Sequence, residues 1–400
     1  MTRRDWLTLM GLGTPMALAA GASPDETVRR IARVIREYES QGFHRTATAV
    51  DNASADWLAE EVRRAGPSAT LESFAVDRVE PVTCALTIDD RRIDGLPLFD
   101  GAFTPESGIA GALGDDVALT ETAVNAAARG ALGDARRANR HRAIVTTTKG
   151  RMAGLCPSNA DSFLHPFGPP VLQVPSSEQQ WLTEKAQQKA VVRLVAYVNR
   201  ITSTASNVTA EVVGTEPSLP PLILMTPRSG WFRCSSERGG GIACWLEVMR
   251  SIAAVPPRRS VLFVASSGHE LGHLGIDAYI ARRSGIVRDG AVWVHLGANI
   301  GAATDKTLLL QAADDSLDVS ATNALRSVGL DVTVRAPRGS APAGEAEAVF
   351  REGGRYVSFI GGNTLFHHVD DVGPDATDAA TISRFATALH ALIVALANTA

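Results

Sequence analysis

The sequence predicts an α/β fold, with a mostly parallel central sheet covered by helices on both faces and an inserted β-rich segment. Three observations predict it. Beyond residue 200, short apolar runs alternate with helical patterns, the signature of strands joined by crossover helices. Between residues 95 and 200, Gly and Pro become frequent and the strands look short. The apolar run Ser260-Val261-Leu262-Phe263-Val264-Ala265 passes directly into Gly268-His269-Glu270. That order places two polar side chains at the carboxyl edge of a sheet, where open α/β folds bind ligands.

The elements follow in order. Val28, Ile31, Ala32 and Ile35 recur with helical period between Asp25 and Gln41, behind the start signal Ser23-Pro24-Asp25-Glu26. A second helix, from about Ser54 to Ala65, carries Ala55, Leu58 and Val62 on one face and stops at Gly66-Pro67. Alternation at residues 70–76 and 83–88 indicates strands. The inserted segment offers strands at 143–146, 170–174 and 190–197. After it come a strand at 221–225, a helix at 241–254, the strand at 260–265, a helix at 274–283, strands at 291–296 and 356–360, and a closing helix over 376–397.

The chain has 400 residues, 45% of them hydrophobic, enough for one large domain or two of medium size. Its formal net charge is −4 and no long basic run occurs, which argues against a nucleic-acid partner. At the N-terminus, Arg3-Arg4-Asp5-Trp6-Leu7 precedes a short apolar segment ending in Ala17-Leu18-Ala19 and Ala20-Gly21-Ala22. This is the pattern of a signal peptide over residues 1–22, of twin-arginine type, and it implies a periplasmic or secreted protein. No later segment reads as a membrane span. Cys84, Cys156, Cys234 and Cys244 allow three disulfide connectivities, with free buried thiols equally open.

Three polar clusters fall at strand ends or helix starts. One runs from Thr226-Pro227-Arg228-Ser229 to Ser236-Glu237-Arg238-Gly239-Gly240-Gly241. The second is Gly268-His269-Glu270, and the third is Phe366-His367-His368-Val369-Asp370-Asp371. Imidazoles and carboxylates converging at strand ends are the donor types that Zn²⁺ takes.

In these motifs the chain resembles the zinc aminopeptidase family that includes bacterial leucyl aminopeptidases, glutamate carboxypeptidase and glutaminyl cyclases. The resemblance implies a catalytic domain made of residues 23–94 and 201–400, with a protease-associated (PA)-like insertion at 95–200. It also implies zinc ligands, of which two are missing: Pro227-Arg228-Ser229 stands at the H-x-D motif, and Gly297 at a later Asp. Glu237, Glu270 and His367 keep the remaining places, so a single zinc per chain is expected. His269 takes the position of the family's general base. Arg228 and Arg238 flank the place of the lost metal and could hold a carboxylate or an oxyanion.

The expected function is therefore an exported, single-zinc hydrolase cleaving an amide bond of a small amino-acid-derived, peptide or anionic substrate, with a homodimer possible. A metal enzyme of another class (cyclase or acyltransferase, lyase, isomerase) and a non-catalytic binding protein of the same fold are the alternatives.

Overall fold

The computed structural model describes residues 23–399. The signal-peptide segment 1–22 lies outside the described residues. Ser23 caps helix α1 (Pro24–Ser40) by accepting from the Glu26 amide, with Pro24 in the first turn as the sequence suggested. Helix α2 (Ala49–Ala65) begins five residues earlier than the apolar pattern indicated. Its cap is Thr48, whose side chain accepts from the Asp51 amide.

Residues 70–76 and 83–88 are one continuous strand, β1 (Ala69–Ile88), with a register shift between Pro81 and Thr83. Short strands β2 (Arg91–Asp94), β3 (Leu96–Pro97) and β4 (Ile109–Ala112) follow. Then come β5 (Val117–Ala123), α3 (Gly130–Ala138), β6 (Ala143–Lys149), β7 (Val171–Pro175) and α4 (Gln179–Gln187). Strands β3, β7, β6 and β5 form a four-stranded sheet of their own, its last three strands parallel. Strand β8 (Val191–Val212) pairs antiparallel with β1 along most of its length. The boundary expected at residue 200 therefore falls inside a strand. Burial along β8 alternates only in places, so its C-terminal half carries no clean period-2 signal.

The rest of the chain supplies β9 (Leu222–Pro227), α5 (Gly240–Ala254), β10 (Val261–Ser266), α6 (Leu274–Ala281), α7 (Ile286–Asp289) and β11 (Val292–Leu296). It continues through β12 (Leu308–Ala312), α8 (Asp315–Arg326), β13 (Val334–Arg335), α9 (Ala346–Arg351), β14 (Tyr356–Gly361) and α10 (Ala379–Asn398). The large sheet has ten strands in the order β13-β12-β14-β11-β9-β10-β8-β1-β2, with β4 also on β8. Its centre, β14-β11-β9-β10, is parallel, as the alternating elements predicted. The flanks β12 and β8 run antiparallel, so the whole is mixed.

Helix α5 is buried nearly all round, with Trp245 donating from Nε1 to the Leu224 carbonyl of β9 at 3.1 Å. A Cβ at Gly240 would stand 2.0 Å from the Ile300 carbonyl oxygen, so only glycine lets α5 start this close to the loop after β11. The connection β9-α5-β10 places β10 on one side of β9, and the path through α6 and α7 places β11 on the other. The direction of strand succession reverses at β9, which opens a crevice at the carboxyl ends of these strands.

Helix α10 is long and apolar enough to cross a membrane, with mean hydropathy 1.6 over eighteen residues, contrary to the sequence expectation. Half of that stretch is buried against the rest of the protein, through contacts with α5, α1 and α8, as in a core helix. The four cysteines are free, Cys156, Cys234 and Cys244 buried and Cys84 partly so. Burial pushes the Cys84 and Cys156 thiols up to about 11.

The first turn of α10 depends on one carboxylate. Asp378 accepts from the Thr381 amide at 3.0 Å and from its hydroxyl at 2.8 Å, and pairs with Lys306 at 3.1 Å. Burial alone would raise this carboxyl, but these partners hold it at about 2, below its ordinary 3.8. A depressed acid stabilises the fold fully above its ordinary value, and that stabilisation disappears as pH falls through about 2. Asp378→Ala should cost about 1 kcal/mol near neutral pH in urea titrations. Below pH 2 the variant and the parent should melt alike.

Candidate functional site

Each expected site residue lies just beyond the carboxyl end of a central strand. Arg228 and Ser229 follow β9, and a π-helical turn, Ser235–Gly239, carries Glu237 and Arg238 into α5. His269 and Glu270 occupy a short turn after β10, entered through Gly268 at φ +87°, which favours glycine. His367 follows β14 with φ +57°. Five of the six are almost wholly buried, at 1% exposure or less, whereas His269 exposes 7%.

Glu237 and His367 are brought together. His367 Nε2 lies 3.4 Å from Glu237 Oε1, and neither atom has a hydrogen-bond partner. His367 Nδ1 donates to the Pro157 carbonyl at 2.6 Å, which turns Nε2 toward the carboxylate. Arg238 Nη2 stands 2.7 Å from the same Oε1 without the alignment of a hydrogen bond. The guanidinium is held by Nε donating to the Ser229 carbonyl at 2.7 Å. Burial by itself would raise the Glu237 carboxyl, but Arg238 and His367 hold it well below the usual carboxylate range. Asp371 fixes the turn by accepting from the Ser236 and Glu237 amides at 3.0 and 2.9 Å. Burial and the Glu237 charge push Asp371 up to about 7, against the pull of those amides.

Glu270 does not join this pair. Its Oε1 accepts from the Thr46 amide at 2.6 Å and the Thr46 hydroxyl at 2.8 Å, and its Oε2 from the Ser229 hydroxyl at 2.8 Å. Ser229 Oγ in turn accepts from the Gly268 and His269 amides at 2.9 and 3.2 Å. Glu270 thus ties the loop after α1 to the turns after β9 and β10.

Arg228, expected beside the substrate, is committed to the interior. It pairs with Asp51 at 2.7 Å, both side chains fully buried, and donates twice to the Ser206 carbonyl, at 3.2 and 2.6 Å. Asp51 also accepts from the Ala47 amide at 2.8 Å and the Ser267 hydroxyl at 2.9 Å. The pair links α2, β8 and the ends of β9 and β10.

The His269 ring is backed by Glu345, a residue the sequence did not single out. His269 Nδ1 and Glu345 Oε1 are 2.9 Å apart, and the other carboxylate oxygen meets His295 Nε2 at 3.1 Å. His295 Nδ1 then reaches the Ser358 hydroxyl at 2.8 Å. Burial alone would raise the Glu345 carboxyl, but the imidazole of His269 and the bonds from both rings hold it well below the ordinary range. His269 Nε2 has no hydrogen-bond partner among the described residues. Glu345 precedes α9 by one position, and Gly344-Glu345 in a Gly-rich stretch reads as a helix start rather than as a partner for a distant strand. His295 lies inside the apolar strand β11, where only its pairing with Glu345 gives it meaning.

The segment between β6 and β7 covers these groups. Beyond the Pro157 contact, Asn159 Oδ1 accepts from Trp231 Nε1 at 3.1 Å, and the Ala160 amide donates to the Glu270 carbonyl at 2.8 Å.

Comparison with solved structures identifies this architecture. A zinc aminopeptidase from Bacillus subtilis superposes with TM-score 0.73 over 94% of this chain and 96% of its own, at 17% identity. An aminopeptidase from Aneurinibacillus sp. strain AM-1 gives 0.70 at 13% identity, over 94% and 96%. A peptidase M28 precursor from Shewanella amazonensis gives 0.70 at 14% identity, over 94% and 98%. The chain has the zinc aminopeptidase fold. No protein-family model matches it, and no curated protein matches it in sequence.

The zinc expected with this fold is tested by the donor set. Glu237 Oε1 and His367 Nε2 meet without hydrogen-bond partners, whereas both Glu270 oxygens accept hydrogen bonds from Thr46 and Ser229. Among the described residues no three His, Cys, Asp or Glu side chains are grouped to hold a metal ion. The guanidinium of Arg238 already lies on the Glu237 oxygen that would face a metal. In this structure Glu270 is hydrogen-bonded to Thr46 and Ser229 and is not grouped with Glu237 and His367 as a ligand trio.

The Arg228–Asp51 pair yields a direct check. Arg228→Met leaves a buried, uncompensated carboxylate and should destabilise the protein by about 3–5 kcal/mol in urea titrations. Adding Asp51→Asn should recover much of that loss. A loss of substrate binding with unchanged stability would return Arg228 to the site.

Proposed function

We propose that the chain is a hydrolase of the aminopeptidase-fold type that cleaves an amide bond of a small peptide or amino-acid-derived substrate, with His269 as general base. The observation that carries this reading is the Glu345–His269 dyad just beyond the carboxyl end of β10. Of the six expected site residues His269 is the most exposed, and its outer ring nitrogen is unused. A carboxylate at the inner nitrogen fixes the tautomer and stabilises the imidazolium that forms when the outer one takes a proton.

In this reading His269 Nε2 accepts a proton from water as the oxygen attacks the carbonyl carbon. The C–N bond then breaks, and the imidazolium returns the proton to the departing nitrogen. His295 holds the far oxygen of Glu345 and so keeps its near oxygen on His269. Arg228 and Arg238 each face a carboxylate, so the reading rests on a peptide-like rather than an anionic substrate. Because the donor set does not fit zinc, no step is assigned to a metal. An extracytoplasmic location belongs to the same proposal, supported by the residue pattern at 1–22.

A non-catalytic binding protein is the second reading, favoured by the same pairing of both arginines and the saturation of Glu270. Aminoacyl amides and short peptides separate the two. Turnover is expected, falling by about two to four orders of magnitude in His269→Ala. Glu345→Gln should lower kcat by at least about two orders with KM little changed, because the ring keeps a neighbour but loses its counter-charge. Binding of peptides with no turnover by the parent protein would select the second reading.

A further inference from the structure

A buried carboxylate with an unpartnered oxygen requires a positive charge near it. Glu237 Oε1 and the outer nitrogen of His367 meet at 3.4 Å, each without a hydrogen-bond partner, in a space exposed to solvent at 1% or less. An isolated carboxylate in such a place carries a desolvation penalty of several kcal/mol. A divalent ion with further ligands would remove it, but no third ligand is grouped here among the described residues. Among the described residues, the strong positive charge in contact with Glu237 is Arg238, 2.7 Å from the same oxygen.

That guanidinium is not a wandering surface group. Its Nε is anchored on the Ser229 carbonyl at 2.7 Å, its Nη1 reaches the Glu237 carbonyl at 3.4 Å, and the residue is 1% exposed. Its Nη2 is without a hydrogen-bond partner and lies 2.7 Å from the Glu237 oxygen. Adjacent positions in one π-helical turn, pinned by Asp371, bring carboxylate and guanidinium together without a separate element.

We propose that Arg238 is a built-in cation occupying the metal-facing edge of Glu237 and His367, and that the chain folds without resident zinc. The charge that a metal would supply to this edge is supplied covalently by the neighbouring residue. A planar, permanently charged guanidinium suits the task, because it keeps its charge when buried and is less strongly hydrated than an ammonium. The inference concerns the ground-state structure and stands whether or not His269 proves to be a base.

The test uses the full-length protein, expressed in zinc-supplemented medium and purified without chelator. Elemental analysis should find zinc far below one per chain, and the melting temperature should move with neither zinc chloride nor EDTA. Zinc bound at one per chain, removed by EDTA with a fall in melting temperature, would overturn the proposal. Arg238→Met keeps the aliphatic stem and removes the charge. It should melt lower than the parent and regain stability when zinc is added, and the response should vanish in Arg238→Met/His367→Ala. A folded Arg238→Met chain that ignores zinc would show that this edge is not metal-facing. Should Arg238→Met fail to fold, the measurements on the parent protein decide the matter alone.

Discussion

Charge neutralisation inside the crevice at the carboxyl ends of β9, β10, β11 and β14 is the constraint on which the rest of the structure depends. Arg228, Glu237, Arg238, Glu270 and Glu345 are all buried there at 1% exposure or less. Each must find its partner within the chain, because a lone buried charge is too costly to keep. The solutions are local and separate: Asp51 for Arg228, Arg238 for Glu237, two imidazoles for Glu345, and hydroxyls with an amide for Glu270. Each ties a different loop to the sheet, so the polar centre also serves as the clasp between strand ends and the helices around them.

The segment carrying the four-stranded sheet takes part in that clasp. Its loop between β6 and β7 orients the His367 ring through Pro157 and contacts the turns that hold Trp231 and Glu270. The strands β1 and β8 run without a break from the large sheet toward the insertion, so the two parts share backbone as well as side-chain contacts.

Much of the architecture was legible in the sequence. The parallel centre announces itself through apolar runs such as Val261–Ala265, and α1 through Ser23-Pro24 and its period. The placement of Glu237, Arg238, His269, Glu270 and His367 at strand ends was also readable, since a strand followed by glycine and polar residues leaves few other options. Elements with weak patterning were not: β12, α8 and α9 lie where short runs and loops alternate, and the full length of β8 is hidden by mixed burial.

What the sequence determined by itself is the order of elements and the residue types delivered to the carboxyl edge, because both follow from local periodicity and chain direction. What only the tertiary structure decided is how those residues pair. Glu270 answers to Thr46, which lies 224 positions earlier, Arg228 to Asp51, 177 positions earlier, and His269 to Glu345, 76 positions later. Which donor a carboxylate meets is settled by packing across the sheet, which no spacing along the chain encodes.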